Sequence, residues 1–330
     1  MTSDYLMEAE NLSMWFPLKK RDRNGKRRYV KAVSDVSFGV HGGETLGIVG
    51  ESGCGKSTLG RTMVKLLKPS GGNIYFERQD VTSWDERRFR PIRRHVQIMF
   101  QDPYASLNPR MTVGDIIAEP LDIQGMSGNK KIRLEKIVYL MEICGLDKSY
   151  ITRYPHEFSG GQRQRIGIAR ALSVGPKLIF CDEPVSALDV SIQAQIINLL
   201  IDLKKSFGLS LVFISHDLSV VNHISDRVCV MYLGRVVETA EKTELFKNPL
   251  HPYTQGLLAS IPEIGGDLPD KENLLEGEIP SPVNPPSGCP FNTRCKYAVR
   301  ECHELVPELR NSGGEHYTAC LLAGNNGGIA

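Results

Sequence analysis

The residues Gly50-Glu51-Ser52-Gly53-Cys54-Gly55-Lys56-Ser57-Thr58 are spaced to hold phosphate. They fit G-x-x-x-x-G-K-[ST], in which backbone N–H groups cradle an anion. Gly53 and Gly55 let the backbone approach closely, with no Cβ in the way. Lys56 can reach the outer phosphates and Ser57 can ligate Mg²⁺. A second anion-binding pattern lies far downstream, at Phe158-Ser159-Gly160-Gly161-Gln162. Ser159 is placed to cap the helical run that follows, and a capped, glycine-flanked helix N-terminus attracts negative charge. Two such elements in one chain suggest a γ-phosphate gripped from two sides.

Three further groups fit the same chemistry. Lys177 to Cys181 is an apolar run that ends in Asp182-Glu183. An acid at that place can support Mg²⁺, and the next carboxylate can polarise an attacking water. Leu211 to Ser215 ends at His216, a candidate γ-phosphate contact. Val96 to Phe100 ends at Gln101, where ligands gather in open α/β sheets. Phe16 and Tyr29 lie upstream of the loop, and either ring could stack on a purine.

These groups need strands that stop and helices that start at the right places. Thr45 to Val49 reads as a buried strand before the loop, and Leu59 to Leu67 as a helix after it. Leu6–Phe16, Val30–Val40 and Asn73–Phe76 read as further strands. The run from Thr112 to Ile151 reads as helical and would interrupt the sheet. Ser191–Phe207 reads as an amphipathic helix, with Ile192, Ile196, Leu199, Leu200 and Leu203 on one face. The basic run Lys19–Arg28 reads as a solvated hairpin tip, with contact to anionic lipid as the alternative.

Composition excludes several classes. The 330 residues are 41% hydrophobic, enough for a substantial core in one large domain or two smaller ones. A net charge of +2 with 24% charged residues does not suggest a nucleic-acid protein. No apolar run approaches the roughly 18 residues of a membrane helix. The first residues carry Asp4, Glu8 and Glu10 and no apolar core, so no secretory signal is expected. A soluble, cytoplasmic chain is expected, reaching any membrane through partners. Of the eight cysteines, Cys54, Cys144, Cys181 and Cys229 are scattered, and Cys289, Cys295, Cys302 and Cys320 crowd the C-terminus. In a reducing cytosol such a group suggests metal more than disulfides.

The ordered set Lys56, Gln101, Ser159-Gly160-Gly161-Gln162, Asp182-Glu183, Asp189 and His216 resembles the ATPase subunits of ABC transporters. These positions match that family's Walker A, Q-loop, signature, Walker B, D-loop and H-switch. Phe158 stands where Leu is commoner, while the anion-binding Ser159 and glycines are intact. The resemblance implies an α/β fold: a P-loop NTPase of ABC type with an antiparallel β subdomain and an inserted helical subdomain. The implied ATPase domain covers 5–260, with a core lobe at about 5–101 and 172–260 and the helical subdomain at about 102–171. It implies a head-to-tail ATP sandwich of two ATPase subunits. Ser52, Gly53, Cys54, Gly55, Lys56, Ser57 and Thr58 would bind ATP, and Phe16, rather than Tyr29, would stack on adenine. Ser57, Gln101 and Asp182 would serve Mg²⁺. Ser159, Gly160, Gly161, Gln162 and Asp189 would reach the nucleotide of the partner. Glu183 would be the catalytic base, with His216 and Gln101 positioning the γ-phosphate and water.

The tail narrows the resemblance. Asn248-Pro249-Leu250-His251-Pro252-Tyr253-Thr254, continuing to Pro262, is similar to the C-terminal extension of dipeptide, oligopeptide and nickel importer ATPases. Residues 261–330 would form that extension. Glu278 to Pro290 is Pro- and Gly-rich and reads as an extended loop. The implied function is powering di- or oligopeptide import, with nickel, glutathione or oligosaccharide as alternative cargo. Implied partners are a second ATPase subunit, two transmembrane permeases and an extracytoplasmic binding protein, at the cytoplasmic face of the membrane. A paralogue is the favoured second ATPase. A soluble ABC ATPase acting on DNA or ribosomes is the rival reading, but one P-loop and no heptad array disfavour it. Intact Glu183 and His216 disfavour a non-hydrolysing regulatory subunit. Cys289, Cys295, Cys302 and Cys320 could ligate a 4Fe-4S cluster or zinc, or remain metal-free or disulfide-bonded. Only the resemblance favours iron–sulfur, since the spacing lacks the tight pairs of a zinc ribbon.

Overall fold

The computed structural model describes residues 4–21, 25–261 and 275–323. The tip of the basic run at 22–24, the segment 262–274 at the expected start of the extension, and the last residues 324–330 lie outside the described residues. In chain order the strands and helices are β1 (Tyr5–Arg21), β2 (Arg27–His41), β3 (Thr45–Val49), α1 (Lys56–Met63), β4 (Gly71–Phe76), β5 (Gln79–Asp80), α2 (Glu86–Arg93), β6 (Val96–Met99) and α3 (Pro103–Ser106). There follow α4 (Val113–Ile123), α5 (Lys130–Ile143), α6 (Gly160–Leu172), β7 (Leu178–Asp182), α7 (Val190–Phe207), β8 (Ser210–Ser215) and α8 (Leu218–Ile224). The chain continues through β9 (Arg227–Tyr232), β10 (Arg235–Glu241), α9 (Lys242–Lys247), α10 (Pro252–Ala259), α11 (Arg300–Glu304), β11 (Arg310–Gly313) and β12 (His316–Thr318). The architecture is mixed α/β, with both antiparallel and parallel sheet.

The chain forms two compact units. One comprises Met1–Val40, Thr45–Thr82 and Ser215–Ala330; the other comprises His41–Glu44 and Ser83–Ile214.

In the first unit, β1 pairs antiparallel with β4 in a sheet of order β2-β1-β4-β5. This is the antiparallel β part that the resemblance implies. Strands β1 and β2 are longer than the apolar runs alone indicate, because polar residues continue both towards the basic tip. Lys19, Lys20, Arg21 and Arg27 are exposed there, as a solvated hairpin end requires. The central strand β3 is buried along its whole length. It pairs in parallel with β9, Ile48 opposite Cys229, and β9 pairs antiparallel with β10. The C-terminal region then adds sheet: β12 pairs with β10 and β11 with β12. The residues between Glu278 and Pro290 contain no helix or strand, as their prolines dictate. The strands beyond them were not legible, because Arg310–Thr318 is short and mostly polar and becomes strand by pairing with β10.

In the second unit, β6, β7 and β8 form a wholly parallel set, with Phe180 opposite Val212 and Cys181 opposite Phe213. Both β7 and β8 are buried throughout, so they read as continuous apolar runs rather than alternating ones. The helical part is built from α4, α5 and α6. Each starts at a polar side chain that accepts a backbone N–H: Thr112, Asn129 and Ser159 respectively. Helix α7 buries Ile196, Ile197, Leu200 and Leu203. Ile192 and Leu199 of the expected face are only half-buried, and Ile197 is fully buried in addition to Ile196, Leu200 and Leu203.

The core of the second unit makes a direct prediction. Phe213 is wholly inaccessible on β8. Phe213→Ala should lower unfolding free energy by about 3–5 kcal/mol, measured by urea denaturation followed through far-UV circular dichroism.

Candidate functional site

The first unit carries the phosphate loop. Helix α1 begins at Gly55, which adopts φ 106°. A side chain there would be strained by that conformation and would also meet the Ala32 carbonyl oxygen. Gly55 has no side chain to cap α1, whose first turn follows directly on the loop. Lys56 is buried at 4% exposure. Its ammonium donates to the Gly50 carbonyl at 2.7 Å and the Glu51 carbonyl at 3.0 Å, and lies 3.8 Å from the Cys54 sulfur. Burial pushes the Cys54 thiol up, with Lys56 opposing, so Cys54 acts here as a packed thiol. Ser57 and Thr58 are half-buried on the first turn of α1, while Ser52 and Gly53 are exposed at the loop tip.

Phe16 is half-buried on β1. Its neighbour Trp15, on the opposite face of the strand, packs with Tyr29 at 6.3 Å between ring centroids. Trp15 also donates to Ser34 Oγ at 3.1 Å, and the Lys31 ammonium lies 5.3 Å from its ring. Tyr29 is therefore engaged by Trp15, a residue the sequence reading did not single out. His216 is exposed where β8 ends, and Asp217 beside it caps α8 by accepting from Ser219 and Val220.

The second unit carries the carboxylates and the signature helix. Asp182 is buried at the end of β7. Glu183 follows at φ 46°, in the left-handed region that a residue with a Cβ rarely adopts. Such conformations persist where the surroundings impose them, commonly at functional sites. Here the Glu183 N–H donates to the Ile214 carbonyl at 3.0 Å, and its carbonyl accepts from Ser186 Oγ at 3.1 Å. Gln101 Nε2 donates to Glu183 Oε2 at 2.9 Å. Two residues far apart in sequence are thus brought into direct contact, with Gln101 itself exposed.

At the start of α6, Ser159 Oγ accepts from the Gln162 N–H at 3.4 Å, and Gln162 Oε1 accepts from the Ser159 N–H at 3.0 Å. This reciprocal box occupies the Gln162 side chain with its own helix. Gly161 faces Ile192 of α7, whose Cγ2 would sit 2.6 Å from any Cβ at that position. Asp189 is exposed at the N-terminus of α7 but its carboxylate does not cap that helix. Val190 beside it is 81% exposed, an apolar side chain left facing outward.

The C-terminal region belongs to the same unit as the phosphate loop. Its anchor is Glu238, wholly buried on β10 where a register shift interrupts the strand. Its carboxylate accepts from the Leu250 N–H at 2.6 Å and the His251 N–H at 3.1 Å, and shares a 2.7 Å hydrogen bond with His316 Nε2 of β12. His251 Nδ1 in turn accepts from the Tyr253 N–H at 3.1 Å, capping α10. The His251-Pro252-Tyr253 run is therefore a helix start: a cap, a proline in the first turn, and a buried aromatic. Tyr253 packs with Tyr232 and Phe291 at centroid distances of 4.6 and 5.4 Å.

Cys289, Cys295, Cys302 and Cys320 do approach one another. Charge on the other three would push the Cys289 thiol up, adding to burial, which takes it to about 11. All four are free thiols. Among the described residues, however, no three or more His, Cys, Asp or Glu are arranged to hold a metal ion. The expected iron–sulfur or zinc set is not supported. Burial pushes the Cys289, Cys295 and Cys320 thiols up, and the turn is closed by backbone bonds, including Cys289 N–H to the Cys302 carbonyl at 2.8 Å. The scattered cysteines Cys144, Cys181 and Cys229 are pushed up to about 12 by burial and are packing residues.

Comparison with known proteins agrees with this geometry. Residues 33–186 match the ABC transporter family, and residues 237–302 match the oligopeptide/dipeptide transporter C-terminal region. The oligopeptide transport ATP-binding protein AppF of Bacillus subtilis is 53% identical over 320 residues, covering 96% of this chain and 97% of that protein. The chain belongs to the ABC transporter family. The dipeptide transport ATP-binding protein DppF of Escherichia coli is 50% identical, covering 96% of this chain and 94% of that protein. A solved dimeric ABC cassette, MJ0796 in a post-hydrolysis state bound to ADP and Pi, superposes with TM-score 0.63 and 27% identity, covering 72% of this chain and 98% of that one. CbiO1 of Clostridium perfringens, part of an ABC transporter complex, gives TM-score 0.62 at 26% identity, covering 74% and 92%. Among the described residues no helix is long and apolar enough to cross a membrane.

Two stability predictions follow from these contacts. Gly161→Ala should cost about 1–3 kcal/mol by overpacking, and adding Ile192→Ala should recover part of it in chemical denaturation. Burial lowers His251 to about 4 from an ordinary 6.5, with Glu238 opposing. The unfolded chain therefore binds the extra proton in that window, and stability rises with pH across it. The melting temperature should fall as pH is lowered from about 6.5 towards 4. His251→Asn, which keeps a capping acceptor, should flatten that part of the profile.

Proposed function

We propose that this chain is the ATP-hydrolysing subunit of an ABC importer for di- or oligopeptides. One observation carries the reading: a phosphate-loop cassette is joined, in one chain, to the oligopeptide/dipeptide transporter C-terminal region. AppF and DppF, which share both halves at 50% identity or more, are named for oligopeptide and dipeptide transport. The functional division in this reading is an ATPase domain at 5–260, with core 5–101 and 172–260 and helical subdomain 102–171, followed by the extension at 261–330.

Lys56, Ser57 and the loop N–H groups bind the phosphates, and Ser57, Gln101 and Asp182 serve Mg²⁺. The start of α1 directly after the loop supports the phosphate role. Glu183 orients and deprotonates the attacking water, and Gln101 and His216 position the γ-phosphate. The Gln101–Glu183 hydrogen bond supports a shared task for that pair. Phosphoryl transfer needs mostly positioning and charge neutralisation, which suits preformed N–H groups and a constrained carboxylate. Phe16 supplies the ring for adenine.

Ser159, Gly161 and Asp189 act on the nucleotide of a second ATPase subunit, a paralogue in this reading. The uncommitted carboxylate of Asp189 and the outward Val190 support a contact surface there. The dimeric MJ0796 cassette supports the same assembly. ATP binding closes the pair, hydrolysis reopens it, and two permease subunits convert that motion into transport at the cytoplasmic face. An extracytoplasmic binding protein delivers the peptide.

Two experiments test this. Glu183→Gln should bind ATP as the wild type does while turnover falls by about 100-fold or more; unchanged turnover would remove Glu183 as the base. Purification of the tagged chain from solubilised membranes should recover two multi-spanning proteins, and deletion should abolish uptake of labelled di- or oligopeptides. Retained peptide uptake with lost nickel, glutathione or oligosaccharide uptake would reassign the cargo. Recovery with ribosomes or DNA-repair factors alone would overturn the transport reading.

A further inference from the structure

Glu51 places a carboxylate in a loop built for phosphate, where a negative charge opposes the anion the loop should attract. The C-terminal region meets this residue twice. Arg294 forms a two-pronged ion pair with it, Nη1 to Oε2 at 2.7 Å and Nη2 to Oε1 at 3.2 Å. The Arg294 side chain is 4% exposed and that of Glu51 25%. Tyr253 Oη accepts from the Glu51 N–H at 2.9 Å. The same Glu51 carbonyl accepts from the Lys56 ammonium. One residue of the loop is thus held at its N–H, its carbonyl and its carboxylate, two of the three by residues of the C-terminal region.

Arg294 is itself fixed. Its Nε donates to the Glu276 carbonyl at 3.0 Å and its N–H to the Phe291 carbonyl at 3.0 Å. Its guanidinium lies 5.8 and 5.9 Å from the rings of Tyr232 and Phe291. Asn292 braces the turn by donating to the carbonyls of Ser287 and Cys302. A rigid fork of this kind matches a carboxylate more exactingly than a lysine does.

We propose that Arg294 and Tyr253 are positioning residues for nucleotide binding, which neutralise and anchor Glu51 so that the phosphate loop meets ATP preformed and free of opposing charge. The inference rests on the ATP reading above. It makes the C-terminal region a determinant of ATP affinity in the subunit that carries it. A brace that served folding alone would change stability and leave KM for ATP unmoved.

The test is steady-state ATP hydrolysis by the full-length chain in its assembled complex, comparing wild type, Arg294→Ala, Tyr253→Phe and the double variant Glu51→Gln/Arg294→Ala. Arg294→Ala should raise KM for ATP about ten-fold with kcat nearly unchanged, the effect of losing roughly one charge-assisted hydrogen bond of preorganisation. The double variant should return KM to within about three-fold of wild type, since no carboxylate then opposes the phosphates. Tyr253→Phe should raise KM about three-fold at constant kcat. An unchanged KM in Arg294→Ala, or a double variant as impaired as Arg294→Ala alone, overturns the inference. Should Arg294→Ala fail to fold, Tyr253→Phe decides, and an unchanged KM there overturns it equally. A wild type that neither binds nor hydrolyses ATP overturns the ATP reading and the inference together, and the wild-type arm alone reports that outcome.

Discussion

A buried ammonium holds the phosphate loop together. Lys56 is almost inaccessible, and a buried charge is tolerable only when its hydrogen bonds are satisfied. The Gly50 and Glu51 carbonyls satisfy it. Bending those carbonyls inward turns the loop around the lysine, and α1 starts directly after it with no side-chain cap from Gly55. The loop is thereby shaped for an anion before any anion arrives. It can hold that shape because β3 beneath it is buried and paired in register with β9.

The second unit solves a related problem by a different route. A helix N-terminus that serves an anion must keep some N–H groups available while staying capped enough to persist. At α6 the Ser159–Gln162 box satisfies the end of the helix, and the Gly161–Ile192 contact fixes how closely α7 approaches. At the end of β7, Glu183 is forced into a left-handed conformation and held there by β8 and Ser186. That constraint directs its carboxylate to Gln101. Glu183 thus stands where the backbone alone would favour glycine.

The C-terminal region is integrated by buried polar groups rather than by apolar burial alone. Glu238 gathers Leu250, His251 and His316 around one carboxylate, and this seats α10 and β12 on β10. Tyr253, Tyr232 and Phe291 then fill the space beneath the loop with rings, and Arg294 and Tyr253 reach Glu51 from that platform. The thiols sit at the edge of the same turn. Burial pushes those of Cys289, Cys295 and Cys320 up.

Most of the cassette was legible in the sequence, for a physical reason. Phosphate chemistry demands particular residue types at fixed short spacings, as in Gly50–Thr58 and Ser159–Gln162, and buried parallel strands demand apolar runs such as Leu178–Cys181. Local demands of this kind are written locally. The partners of Glu51 and Glu238 were not legible. Each is a contact between residues distant in sequence whose types are individually unremarkable, and only folding decides which arginine or histidine arrives. The same holds for β11 and β12, whose polar residues become strands only because β10 offers an edge, and for the four cysteines, whose number suggested a metal that their arrangement does not provide. The sequence by itself determined the chemistry of the phosphate loop and the family of the fold. Tertiary structure alone decided that the tail would grip that loop, because an ion pair between residues so far apart exists only once the chain between them is packed.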